Sequence, residues 1–126
     1  MEQFQPLVLV VDDDELIVEA LAEILADEGL QTARARNGVD ALLFIADSVR
    51  IPDLIVLDMM MPRMDGWTFC RIRQRLELLK AIPVIAISAD SNIGGRPPLG
   101  VEAILPKPFH PDDITRMVRR VVGSLA

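Results

Sequence analysis

At 126 residues the chain has room for one domain with a substantial core and none for a second. A hydrophobic share of 51% excludes disorder, and 4% aromatics argue against base-stacking surfaces. A net charge of −6 and a pI near 4.7 disfavour nucleic acid and anionic membrane as partners.

The single cysteine, Cys70, excludes an internal disulfide and a cysteine-based zinc cluster, and it is expected to be a buried helix residue. No signal-length or bilayer-spanning apolar run is present, so the expected location is the cytoplasm.

Leu7-Val8-Leu9-Val10-Val11 predicts a strand over about Leu7 to Asp12, which stops on the acidic run Asp12-Asp13-Asp14. Asp14 can cap a helix with Leu16, Ile17, Ala20, Leu21, Ile24 and Leu25 on its apolar stripe, ending near Gly29. Leu30 to Arg36 reads as a second strand, with few large apolar groups, as expected of a sheet edge. Asn37-Gly38 then turns the chain into a helix carrying Ala41, Leu42, Ile45 and Ala46, which stops before Pro52.

Leu54-Ile55-Val56-Leu57 forms the third strand and ends at Asp58. A third helix is predicted from about Gly66 to Lys80, burying Phe69, Ile72, Leu76 and Leu79, and the fourth strand runs from Pro83 to Ser88. The stretch from Asp90 to Gly100 holds Gly94, Gly95 and Gly100 with Pro97 and Pro98, so a loop or at most one turn is expected. Ala103 to Pro106 is the fifth strand. Pro111, Asp112 and Asp113 open a last helix with Ile114, Met117, Val118, Val121, Val122 and Leu125 on one face.

Five short apolar strands joined by helical crossovers imply a parallel sheet with helices on both faces. In such sheets ligands sit at the carboxyl ends of the strands. Asp12, Asp13, Asp58, Ser88 and Lys107 all fall at those ends. Each has a plainer reading when taken alone, as a helix cap, a turn residue, a loop serine or a surface charge. Together they suggest chemistry, because clustered carboxylates need a compensating cation, and a hard divalent ion such as Mg²⁺ prefers oxygen ligands. Asp58 is then placed as a nucleophile for phosphoryl transfer, with Ser88 and Lys107 available to the phosphoryl oxygens and the Met60 carbonyl available to the metal.

Other features are assigned structural roles. The basic groups Arg71, Arg73, Arg75 and Lys80, and Arg116, Arg119 and Arg120, are read as solvated helix faces. His110, just before Pro111, is expected to cap or to be solvated, and the Met59, Met60, Met61 and Met64 cluster to pack locally.

The pieces Val10-Val11-Asp12-Asp13-Asp14, Leu57-Asp58-Met59-Met60-Met61-Pro62-Arg63-Met64-Asp65-Gly66, Ile87-Ser88-Ala89 and Lys107-Pro108-Phe109 resemble the receiver domain of two-component response regulators. The resemblance covers essentially the whole chain. It implies a flavodoxin-like (βα)5 doubly wound sheet of order 2-1-3-4-5, here with the fourth helix shortened or missing. It further implies a single receiver over residues 1–126 without an output domain.

In that family Asp58 would accept phosphate from a sensor histidine kinase or phosphotransfer protein, with Mg²⁺ held by Asp13, Asp58 and the Met60 carbonyl and Asp12 acting mostly through water. Ser88 and Lys107 would bind the phosphoryl group, and the Lys107-Pro108 peptide is usually cis. Phosphorylation would then switch binding to a downstream effector, and a homodimer is left open. No enzymatic activity beyond self-phosphorylation and self-dephosphorylation is expected.

Two departures bear on the output. Ile104 occupies the position of the family's aromatic switch residue, and the interval from Ser88 to Lys107 is shorter than usual. These favour, as the alternative, an interaction module that keeps the fold but signals without phosphate. A phosphatase or phosphotransferase with an aspartate nucleophile is disfavoured, because the second carboxylate such enzymes often carry two residues onward is replaced by Met60.

Overall fold

A computed structural model describes residues 5–90 and 100–123. Its elements are β1 (Leu7–Val11), α1 (Glu15–Asp27), β2 (Gln31–Ala35), α2 (Gly38–Asp47), β3 (Leu54–Asp58), α3 (Gly66–Gln74), α4 (Glu77–Lys80), β4 (Val84–Ser88), β5 (Ala103–Pro106) and α5 (Pro111–Gly123). The five strands form one all-parallel sheet in the order β2-β1-β3-β4-β5, as expected.

The apolar runs form strands because both faces of the central sheet are covered. Leu9, Val11, Ile55, Leu57, Val84 and Ala86 point to the layer of α2, α3 and α4, where Ala41, Ile45, Phe69, Cys70 and Leu79 meet them. The alternate residues Val8, Val10, Leu54, Val56, Ile85 and Ile87 point to α1 and α5, against Val18, Leu21, Leu25, Ile114, Val118 and Val121. Period-2 alternation therefore fills two cores from one set of strands, and each large buried side chain contributes about 1.5–3 kcal/mol.

Each crossover is punctuated by side chains that the sequence supplies at the right place. Asp14 accepts from the Leu16 and Ile17 N–H groups, Asn37 from Asp40 N–H and Asp65 from Thr68 N–H, so three helices start on a short polar cap. Helix α1 ends on Gly29 at φ +80°, with Gly29 N–H donating to the Ala26 carbonyl and Leu30 N–H to the Leu25 carbonyl. That pair of bonds needs the left-handed conformation glycine supplies.

Three expectations are corrected. The stripe of α1 is rotated: Val18, Leu21 and Leu25 are buried, whereas Leu16 is 77% exposed beside the carboxyl ends of the strands and Ala20 is exposed. The single helix from Gly66 to Lys80 is broken, since Leu76 adopts an extended conformation (φ −114°, ψ 115°) and separates α3 from α4. Leu76 is consequently 45% exposed while Leu79 is buried.

The third correction is Arg73, which is buried rather than part of a solvated face. Its guanidinium donates to the carbonyls of Ile82, Lys80 and Gly100, so backbone acceptors satisfy the charge that burial strips of water. Burial pulls the Arg73 guanidinium below its ordinary value, and it pushes the neighbouring Cys70 thiol up to about 11. The expected loop with Gly94, Gly95, Pro97 and Pro98, the shortened or missing fourth helix, and Leu125 lie outside the described residues.

Candidate functional site

The parallel sheet brings the ends of β1, β3, β4 and β5 together, and with them the predicted residues. Asp12 and Asp58 are buried, Asp13 is exposed, and one oxygen of each carboxylate lies within 4.8 Å of the others. Lys107 reaches between two of them: its Nζ is 3.4 Å from Asp12 Oδ2 and 3.5 Å from Asp58 Oδ1.

Local backbone geometry holds the carboxylates. Asp12 Oδ1 accepts the Asp14 N–H at 2.9 Å, and Asp58 Oδ1 accepts the Met60 N–H at 3.2 Å, so each acid is fixed by the residue two positions on. Behind Asp58, the Gly66 N–H donates to the Met59 carbonyl at 3.0 Å, which folds the turn back onto β3. A Cβ at Gly66 would come within 2.8 Å of the Met59 Cα, so this close approach requires glycine. Arg63, at φ 70°, takes the left-handed conformation inside the same turn.

Burial pushes the Asp12 carboxyl up to about 6; the Asp14 N–H opposes the rise, the Asp58 charge adds to it, and Lys107 opposes it in turn. One ammonium therefore leaves the buried negative charge under-compensated. Three clustered carboxylate oxygens form a hard donor set that suits a divalent cation with an oxygen preference.

Ser88 closes β4 and is buried, and its Oγ accepts the Asp90 N–H at 3.0 Å. Its hydroxyl proton is thereby left to donate elsewhere. Lys107 is tied to the same strand end, its N–H donating to the Ser88 carbonyl at 2.8 Å, and the Lys107-Pro108 peptide is cis, as the resemblance implies.

Met59 is buried and Met61 and Met64 pack on the α2–α3 layer, as expected, but the Met60 side chain is 68% exposed. Ile104 is half-buried on β5 against the same layer. His110 is exposed, and its Nδ1 accepts the Asp112 N–H at 3.1 Å, which is the expected cap. Among the described residues no helix is long and apolar enough to cross a membrane.

A sequence model of the family described as "Response regulator receiver domain" matches residues 8–119. Response regulator MprA of Mycobacterium sp. (strain KMS) is 35% identical over 118 residues, which cover 91% of this chain and 50% of that protein. The chain thus spans about half the length of the curated relatives it matches.

Among solved structures, the signal receiver domain of a signal transduction histidine kinase from Syntrophus aciditrophicus superposes with a TM-score of 0.85 at 32% identity, covering 94% of this chain and 91% of that one. Response regulator TrrA from Thermotoga maritima, in complex with Mg²⁺–BeF, gives a TM-score of 0.81 at 28% identity over 93% of this chain and 99% of its own.

Proposed function

The chain belongs to the response regulator receiver domain family, homologous to two-component response regulators, and from that premise we propose that Asp58 is its phosphoacceptor. The observation that carries this reading is the convergence of Asp12, Asp13, Asp58 and Lys107 from three strand ends onto one small volume.

In the proposed reaction an Asp58 carboxylate oxygen attacks the phosphorus of a phosphohistidine on a sensor kinase or phosphotransfer protein. The new oxygen–phosphorus bond forms as the phosphorus–nitrogen bond breaks, and the imidazole nitrogen keeps the electron pair. Such a transition state spreads negative charge over its equatorial oxygens, so placed cations and hydrogen-bond donors do most of the work. Lys107, which bridges Asp12 and Asp58, would meet one of those oxygens, and the Ser88 hydroxyl would donate to another.

Asp12, Asp13, Asp58 and the Met60 carbonyl would hold Mg²⁺, which supplies charge neutralisation to an otherwise acidic pocket. The family relation to TrrA, whose structure carries Mg²⁺–BeF, supports that assignment.

The added charge at Asp58 would then bias the surface around Ser88 and Ile104 and change binding to a downstream effector. Self-phosphorylation and self-dephosphorylation are the extent of the proposed chemistry, and residues 1–126 are proposed to act as a single receiver unit.

The test is Mg²⁺-dependent labelling with phosphoramidate, read by intact mass. One phosphoryl group should be gained by the wild type and none by Asp58→Asn. An unlabelled wild type would overturn the reading in favour of a phosphate-independent interaction module, the alternative that Ile104 motivates.

A further inference from the structure

Arg73 is, among the described residues, the one basic side chain that is fully buried, and nothing in the proposed chemistry uses it. It lies at the opposite end of the sheet from Asp58. Its acceptors are the carbonyls of Lys80 and Ile82, just before β4, and of Gly100, just before β5. Nε donates to Ile82 at 3.0 Å and Nη2 to Lys80 at 3.1 Å, while Nη1 reaches across to Gly100 at 3.4 Å. One planar fork therefore grips the starts of two neighbouring strands.

The Gly100 end of this arrangement strains any other residue. Its φ is +78°, and a Cβ there would meet the Gln74 amide and lie 2.8 Å from Arg73 Nη1. Glycine relieves the backbone strain of that conformation and leaves room for the guanidinium.

Strand β5 has particular need of such a grip. It is four residues long and sits at the sheet edge, paired only with β4, from Ile85 with Ala103 to Ser88 with Pro106. Just beyond the last pair, Lys107 N–H meets the Ser88 carbonyl. A slip of one residue in this register would displace Lys107 by about 3.3 Å and turn every β5 side chain to the other face. That displacement is as large as the distances that now join Lys107 to Asp12 and Asp58.

We propose that Arg73 is a positioning residue for the chemistry at Asp58: by holding the Gly100 carbonyl with the guanidinium that also grips Ile82, it fixes the register of β5 on β4 and so places Lys107 between Asp12 and Asp58. The proposal rests on Asp58 being the phosphoacceptor. The competing role is purely structural, with Arg73 only fastening α3 to the start of β4.

Two variants separate these roles. Arg73→Lys keeps a cation that can reach the Lys80 and Ile82 carbonyls but cannot also span to Gly100. Gly100→Ala attacks the β5 side, where the added Cβ crowds Arg73 Nη1. In both full-chain variants, hydrogen exchange of the β5 amides should accelerate about tenfold while those of β1 and β3 stay within about twofold. Phosphoramidate labelling at saturating Mg²⁺ should slow about tenfold.

Faster exchange in all strands alike, unchanged β5 exchange, or loosened β5 with an unchanged labelling rate would each overturn the proposal. A wild type that takes no label overturns the phosphoacceptor reading and this proposal with it, which the wild-type control distinguishes from failure of the Arg73 role alone.

Discussion

Lys107 Nζ stands 3.4 Å from Asp12 Oδ2, joining the end of β5 to the end of β1 across β4 and the strand that carries Asp58. The contact does not balance the site, because burial and the Asp58 charge still push the Asp12 carboxyl up to about 6 from an ordinary 3.8.

A carboxyl whose pKa is raised in the folded state is held more tightly as the neutral acid. Its stabilising contribution is complete below about 3.8 and is lost as pH rises through about 6. In metal-free protein, Asp12→Asn should therefore be more stable than wild type at pH 7 by about 1–3 kcal/mol. The difference should shrink as pH falls from 7 to 4. Urea unfolding of both proteins across that range checks the sign, and a flat or inverted difference would refute it.

Mg²⁺ should reverse the order. An ion that binds only the folded state at a hundred times its Kd stabilises by about 2.7 kcal/mol. The wild type should gain stability with Mg²⁺ concentration, and Asp13→Asn should gain far less, because Asp13 contributes one of the three clustered oxygens. Thermal unfolding with and without the ion is the measurement, with Ca²⁺ as a control for charge without the same geometric demand.

Ser88 should report the phosphoryl group rather than the metal. Ser88→Ala removes the acceptor of the Asp90 N–H and a hydroxyl donor at the site. Folding stability should fall by about 1 kcal/mol, and labelling by phosphoramidate should slow about ten- to a hundredfold. The Mg²⁺ response of the unmodified protein should be unchanged. Equal labelling rates for variant and wild type would remove Ser88 from the chemistry.

The site was readable in sequence because it is built from residue types at strand ends, and period-2 apolar runs make strand ends conspicuous. Asp12, Asp58, Ser88 and Lys107 each follow directly on such a run. What escaped was information carried by helix phase. Leu16 and Val18 are both apolar, and only the orientation of α1 on the sheet decides that Val18 is buried and Leu16 exposed. Arg73 was hidden more deeply, because an arginine in a helix rich in basic residues gives no sign that three distant carbonyls await it. Tertiary acceptors, not local pattern, decide whether such a charge can be buried.

The break between α3 and α4 belongs to the same class and has a measurable consequence. A continuous helix from Gly66 to Lys80 would place Leu76 against the sheet with Phe69 and Ile72. The observed extended Leu76 instead turns its own side chain outward and lets Leu79 enter the core. Leu79→Ala should then destabilise by about 2–5 kcal/mol, the range for emptying a buried leucine site. Leu76→Ala should cost no more than about 0.5 kcal/mol, as for an exposed position. Urea midpoints of the two variants decide between the helices: comparable losses at both positions would restore the unbroken helix, whereas a large loss at Leu79 alone fixes the break at the extended Leu76.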